Sequence, residues 1–146
     1  MWSTDGMSRA TEQRNRWMLR ARDAMDRTYA QPLDIAAIAA IAHASEAHFI
    51  RTFKATFGET PHRYLQRRRV ERAAFLLRET DRSVSEICLD VGFASLGTFS
   101  RTFREILGVP PSTYRAQAPV HQVPYCVAKS WSRPSSSGEA QAAGRV

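Results

Sequence analysis

Apolar residues recur at helical spacing through most of this chain, and breakers divide them into short segments. Phe49 and Phe53 lie four residues apart, as do Phe99 and Phe103, which places each pair on one face of an amphipathic helix. A serine precedes each of these segments as a suitable N-cap, and a glycine follows each of them. The pattern predicts helices over 9–29, 33–42, 45–57, 60–79, 84–91 and 95–107, with a short final turn at 111–114.

Two halves of the chain repeat one pattern. The segment HFIRTFKATFGETPHRY, residues 48–64, aligns with TFSRTFREILGVPPSTY, residues 98–114, at an offset of fifty. Upstream the offset is forty-nine, which pairs Ile38 with Ile87 and Ala42 with Val91. The second turn is therefore predicted to be one residue longer than the first.

Each copy has the layout of a helix-turn-helix motif: a short helix, a tight turn and a second helix capped by serine. The predicted fold is all-α, with two three-helix helix-turn-helix subdomains joined by a long connecting helix. The predicted boundaries are 33–57 for the first motif, 60–79 for the connecting helix and 83–107 for the second motif. They lie in a domain of residues 9–116, between an N-terminal tail, 1–8, and a mostly disordered tail, 117–146.

The charge of the chain suggests a polyanionic partner. Its formal net charge is +7, its pI is about 10.2, and 43% of its residues are hydrophobic, so it is both foldable and basic. A net positive charge also aids solubility, and charge alone does not decide between the two interpretations. The repeated motif favours nucleic acid.

No motif for catalysis, cofactor binding or metal binding is recognisable. Cys88 and Cys126 are too few for a disulfide framework or a multi-thiolate zinc site, and they favour a reducing compartment. The four histidines, His43, His48, His62 and His121, lack metal-ligand spacing. No stretch approaches the roughly 20 apolar residues of a membrane span. We expect a cytoplasmic protein that is not an enzyme, has no cofactor and does not contact a membrane.

Residues from about Trp17 to Arg115 resemble the DNA-binding domain of the AraC/XylS family of bacterial transcription regulators. The resemblance rests on RTFKATFGETPHRYLQRRRVERAAFLL and on SVSEICLDVGFASLGTFSRTFREILGVPPSTYR. It implies two three-helix subdomains joined by the long helix, promoter binding, and recruitment or repositioning of RNA polymerase. His43 departs from the family's usual glycine in the first turn, where a left-handed backbone would be strained.

Two outward helix faces are the predicted DNA-binding site. Because Phe49 and Phe53 point inward, and Phe99 and Phe103 likewise, the opposite faces are free for a DNA groove. The first face comprises Ser45, Glu46, Ala47, Ile50, Arg51 and Lys54. The second comprises Ser95, Leu96, Gly97, Thr98, Ser100, Arg101 and Arg104.

Arg51 and Arg101 occupy matching places and are the first candidates for base readout. An arginine fork suits the O6 and N7 acceptors of guanine, with about 1–3 kcal/mol of discrimination at each position. The alternative is that each arginine contacts phosphate only or lies in a solvated face. The basic run Arg67, Arg68, Arg69 and Arg72 lies in the connecting helix, where part of its role must be packing.

The predicted function is sequence-specific transcription regulation by a monomer that places two recognition helices in successive major grooves of double-stranded promoter DNA. Some sixteen residues precede the segment with this resemblance, which begins at about Trp17, and thirty follow it. These are too few for an effector domain, so control by abundance or by a partner is expected. One alternative is a sequence-indifferent DNA-bending architectural protein. Another is the DNA-binding fragment of a repair methyltransferase, although two distant cysteines cannot supply its thiol cluster. Residues 123–131 are either disordered or an extended strap over the helices.

Overall fold

The computed structural model describes residues 4–117, and within them it contains seven α-helices and no strand. The all-α prediction, with two helix-turn-helix motifs, is confirmed. The helices are α1 Thr4–Arg27, α2 Ile35–Ile41, α3 Glu46–Phe57, α4 Pro61–Glu79, α5 Val84–Asp90, α6 Leu96–Leu107 and α7 Pro111–Gln117. The predicted strap at 123–131 and most of the predicted C-terminal tail lie outside the described residues.

The first and last described helices, α1 and α7, differ from the predicted bounds. Helix α1 begins at Thr4, five residues before the predicted start at residue 9, and so includes part of the segment 1–8 that was interpreted as a tail. No proline interrupts this stretch, and the residues that follow Gly6 are mostly good helix formers, so the helix extends beyond the apolar pattern. Helix α7 ends at Gln117, where the tail was expected to begin.

Side-chain caps set the beginnings of the short helices. The Asp34 carboxylate accepts a hydrogen bond from the Ala37 backbone N–H at 3.1 Å, so α2 begins at Ile35 and not at the predicted Leu33. Ser83 opens α5 by accepting a hydrogen bond from the Glu86 N–H at 3.1 Å. Each cap satisfies a backbone donor that the helix itself leaves unpaired.

The chain divides into two compact units, with the boundary between Arg68 and Arg69 in α4. In the first unit, the buried side chains come from α1, α2, α3 and the beginning of α4. Phe53 lies at the centre, with its ring centroid 5.5 Å from that of Phe49 and 5.7 Å from that of Tyr64. The buried members are Met18, Ala21, Ala24, Met25, Ile38, Ala39, Ala42, Phe49, Phe53, Tyr64 and Leu65.

The second unit repeats this core. The Phe103 ring centroid lies 5.7 Å from that of Phe99 and 5.4 Å from that of Tyr114. Buried residues of α4 recur at the same spacing as those of α1: Val70, Ala73, Leu76 and Leu77 correspond to Met18, Ala21, Ala24 and Met25. The C-terminal half of α4 therefore does for the second unit what α1 does for the first.

The four-residue spacing of large apolar residues does not keep them all buried. Leu107 is 38% exposed and Phe57 is half-buried, whereas Phe103 and Phe53 are fully buried. Four residues advance an α-helix by about 40° more than one turn, so the third member of each series has rotated by about 80° from the first.

The two turns have the same backbone hydrogen bonds. Ala44 N–H donates to the Ala39 carbonyl at 3.1 Å, and Phe93 N–H donates to the Cys88 carbonyl at 3.1 Å. This Schellman arrangement requires a left-handed residue just before each donor. That residue is His43 in the first turn, with φ 56°, and Gly92 in the second, with φ 98°.

Candidate nucleic-acid interface

Helix α3 presents its predicted groove-facing residues to solvent. Its N-cap Ser45 accepts a hydrogen bond from the His48 N–H at 3.3 Å, and Phe49 and Phe53 are fully buried on the inner side. The predicted residues of this motif are all exposed: Ser45, Glu46, Ala47, Ile50, Arg51 and Lys54. The structure therefore brings them together on one accessible face.

Helix α6 has the same design. Ser95 caps it by accepting from the Thr98 N–H at 3.2 Å, and the Ser95 hydroxyl lies 2.9 Å from the Thr98 hydroxyl. The exposed predicted residues are Ser95, Leu96, Gly97, Arg101 and Arg104, whereas Thr98 and Ser100 are half-buried. Thr98 and Ser100 therefore lie at the margin of the face.

Gly97 leaves space at the beginning of α6. A Cβ atom added at this position would meet no heavy atom within 4 Å, so packing inside the protein does not require glycine there. The smallest side chain at an exposed helix end allows another molecule to approach the backbone closely. Ala47, at the matching position of α3, is similarly small and exposed.

The cations of the two outward faces differ from those of the connecting helix. Within residues 4–117, no acidic side chain pairs with Arg51, Lys54, Arg101 or Arg104. On α4, Arg67 forms an ion pair with Glu59 at 2.7 Å, and Arg68 forms one with Asp26 at 3.3 Å. Unlike Arg67 and Arg68 of α4, the cations on the outward faces of α3 and α6 are therefore available to a polyanion.

The packing role predicted for the arginine run on α4 is present. The Arg67 guanidinium donates through Nε and Nη2 to Glu59 and lies 5.3 Å from the centre of the Tyr64 ring. The Tyr64 hydroxyl donates to Asp26 at 2.8 Å. Burial and this hydrogen bond raise the pKa of Tyr64 above its ordinary value. These contacts fix the beginning of α4 against α1 within the first unit.

The remaining arginines of the run belong to the second unit. The Arg69 guanidinium lies 5.8 Å from the centre of the Phe93 ring, and burial lowers the pKa of Arg69. The Nε atom of Arg72 is buried without a hydrogen-bond partner among the described residues.

Two arginines of structural importance were not singled out from the sequence. Arg115 of α7 donates from Nε to the Leu77 carbonyl at 3.0 Å and from Nη2 to the Thr80 carbonyl at 3.2 Å. Arg82 donates to the carboxylates of Glu86 and Asp90. The signal in the sequence was the end of the long helix at Glu79, because the last carbonyls of a helix need donors from elsewhere in the chain.

The described residues, 4–117, hold no group of three or more His, Cys, Asp or Glu side chains arranged for a metal ion. None of the helices in that range has the length and apolar character needed to cross a membrane. Cys88 is buried, and its burial raises the pKa of the thiol. Cys88 occupies the place that Ala39 has in the first unit, where it packs as a small apolar side chain.

Comparisons with known proteins agree with this geometry. A family model described as a helix-turn-helix domain matches residues 38–117, more than half of the chain. The regulatory protein SoxS of Salmonella typhimurium is 38% identical over 85 residues, which are 58% of this chain and 79% of SoxS. Several other curated regulators are much longer, and the chain spans 26% to 34% of their length.

Solved structures show the same likeness. A transcriptional regulator from Chromobacterium violaceum, described as an AraC-type DNA-binding domain-containing protein, superposes with a TM-score of 0.66 at 32% identity, over 70% of this chain and 92% of the other. The DNA-binding domain of the global transcriptional factor AdpA, solved with a target DNA, gives a TM-score of 0.64 at 28% identity, over 82% of this chain and 97% of the other.

Proposed function

Because this chain belongs to the AraC/XylS family and carries the DNA-binding domain typical of its transcription regulators, we propose that it is a sequence-specific regulator whose α3 and α6 enter successive major grooves of promoter DNA. In this proposal the protein acts as a monomer on DNA in the bacterial cytoplasm and has no catalytic role. It regulates transcription by contacting RNA polymerase.

One observation carries this proposal: α3 and α6 have equal lengths and serine caps, and each exposes unpaired cations on its own outward face. Arg51 and Arg101 lie at matching positions of α3 and α6, as do Lys54 and Arg104. A recognition helix in the major groove meets base edges with its outermost face and phosphates at its margins. Two such helices in one chain provide two half-sites without a dimer.

We assign base readout to Arg51 and Arg101 and phosphate contact to Lys54 and Arg104. A planar guanidinium can donate two parallel hydrogen bonds to guanine O6 and N7, whereas a lysine ammonium behaves as a point charge. Ala47 and Gly97, one residue after the first residue of each helix, leave room for the bases. Ser45 and Ser95 position the first backbone N–H groups of each helix near phosphate oxygens.

The experiment is selection of binding sites from random double-stranded DNA with the full chain, followed by competition against random duplex at fixed salt. A defined sequence bound about a thousandfold or more tighter than random duplex is expected of a specific regulator. Equal affinity for both duplexes would instead identify a sequence-indifferent architectural protein, because phosphate contacts carry no base preference.

A further inference from the structure

Helix α1 extends well beyond the core that it helps to build. Its first buried side chain is Met18, and every side chain from Ser8 to Arg16 is exposed except that of Gln13, which is half-buried. These two turns bury no large apolar group, yet they carry the cations Arg9, Arg14 and Arg16. Packing therefore does not explain why this part of α1 has its present side chains.

The extension forms one wall of an open polar pocket against α3. Arg14 and Asn15 of α1 line this pocket together with His48, Arg51 and Thr52 of α3, and its volume is about 550 Å³. The Thr52 hydroxyl oxygen lies 3.4 Å from the Nε2 atom of His48. All of these groups belong to the first unit.

The pocket suits an anion. Within residues 4–117, no acidic side chain pairs with the guanidinium of Arg14 or of Arg51, and no acidic residue lines the pocket. Two like charges on one concave surface repel each other, and an anion bound beside Arg14 reduces that repulsion and accepts charge-assisted hydrogen bonds from the Arg14 guanidinium. The Asn15 amide and the Thr52 hydroxyl add neutral donors.

The position of the pocket indicates which anion. Arg51 belongs both to the outward face of α3 and to the pocket, whereas His48 and Thr52 lie on the flank of α3 that faces α1. A helix inserted in a major groove about 12 Å wide has a sugar-phosphate backbone along each flank. We propose that this pocket binds a phosphate of the DNA backbone, with Arg14 as a phosphate-contacting residue supplied by α1. The inference rests on the proposed function, since it assumes that α3 enters the groove.

The second motif does not offer the same pocket. Ala55 also lines the pocket of the first motif. At the positions of α6 that match Thr52 and Ala55, the chain has Thr102, which is buried, and Glu105, whose carboxylate would repel a phosphate. The additional phosphate contact is therefore specific to the first motif.

The test measures how the affinity of the full chain for DNA depends on salt. Arg14→Ala is compared with Arg16→Ala, which removes the same charge two residues along the same helix, about 200° away around its axis and outside the pocket. Both side chains are exposed, so both variants should unfold at the temperature of the wild type. Arg14→Lys tests whether a cation of another shape can make the same phosphate contact.

We expect Arg14→Ala to reduce the slope of log K against log salt concentration by about one, with unchanged base preference. Arg16→Ala should leave the slope within a few tenths of the wild-type value. Replacing the contacted phosphate of the duplex by a neutral methylphosphonate should lower the affinity of the wild type for that duplex. The same replacement should leave the affinity of Arg14→Ala unchanged. An unchanged slope for Arg14→Ala, or an equal reduction for Arg16→Ala, would overturn the proposal.

The same titrations on random duplex separate this inference from the proposed function. If the wild type shows no sequence preference, sequence-specific regulation fails. The difference between Arg14→Ala and Arg16→Ala on random duplex still shows whether the pocket binds a phosphate.

Discussion

The ring of Trp17 lies 4.7 Å from the ring of His43, with 41° between their planes. His43 has φ 56° and is the one residue other than glycine with a positive φ among residues 4–117. Trp17 of α1 therefore contacts a side chain at the backbone position where the second motif has Gly92. The contact offsets part of the cost of a left-handed histidine, which is roughly 1–2 kcal/mol for a residue with a Cβ atom.

This contact predicts an unusual order of stability at position 43. His43→Ala loses the Trp17 contact and keeps the backbone strain, whereas His43→Gly loses the contact and relieves the strain. We expect the glycine variant to be more stable than the alanine variant by about 1 kcal/mol in urea unfolding.

The second turn provides the matched control. Gly92→Ala introduces strain at φ 98° with no histidine ring to compensate, so we expect a loss of 1 kcal/mol or more. Equal stabilities of the two position 43 variants would show that the left-handed conformation carries no cost there.

The repeated aromatic cluster predicts similar losses in the two units. Phe53→Ala and Phe103→Ala each remove a fully buried ring from between two other aromatic rings. We expect each to lower the free energy of unfolding by about 3–5 kcal/mol, measured by denaturant titration. Phe57→Ala, at a half-buried position, is the control and should cost clearly less. A loss confined to one of the two buried positions would contradict the equivalence of the two cores.

The two carbonyl contacts of Arg115 predict that lysine is a poor replacement for it where α7 meets α4. Only the guanidinium fork reaches both the Leu77 and the Thr80 carbonyl, and the side chain is half-buried. We expect Arg115→Lys to lower stability by about 1–2 kcal/mol. Arg104→Ala, at an exposed and unpaired position of α6, should change stability by less than about 0.5 kcal/mol. A lysine variant as stable as the wild type would refute a structural role for the fork.

The hydrogen bonds to the Glu86 carboxylate predict that the stability of the second unit depends on pH. Hydrogen bonds from Ser83 and then from Arg82 lower the pKa of Glu86 below its ordinary value of 4.5. A carboxyl group whose pKa is lower in the folded state stabilises the fold above pH 4.5 and loses that contribution as the pH falls through the folded pKa. NMR titration of the Glu86 carboxyl carbon should therefore give a midpoint below 4.5.

Ser83→Ala should move that midpoint upward, because it removes the largest cause of the shift. Ser85→Ala, at an adjacent exposed position, should not move it. A Glu86 midpoint that is the same in the wild type and in Ser83→Ala would show that the hydrogen bond is absent in solution.

The sequence was sufficient to predict the two helix-turn-helix motifs, because breakers, serine caps and buried phenylalanines all repeat at a fixed offset. It also predicted the longer second turn and the exposed faces of α3 and α6. It did not predict that α1 begins at Thr4, since a polar helical segment without an apolar stripe has no periodic signal. The hydrophobic periodicity of a sequence predicts which side chains are buried, but it does not predict contacts between polar side chains.

The missed features are contacts between distant positions. Arg115 bonds to carbonyls more than thirty residues earlier in the chain, and the Arg14 pocket joins α1 to α3. Neither contact depends on helical spacing, so neither could be found without the tertiary structure. His43 is an intermediate case: the glycine usual at this place in the resembling family indicated a left-handed backbone, but nothing in the sequence indicated the compensating contact with the Trp17 ring.

The most direct test of the central claim is selection of binding sites from random DNA with the wild type, Arg51→Ala and Arg101→Ala in parallel. Each variant should lose preference at one base position, by about 1–3 kcal/mol, and the two positions should lie about ten base pairs apart. Loss of affinity without any change in base preference, or two affected positions within the same half-site, would contradict recognition by two helices in successive grooves.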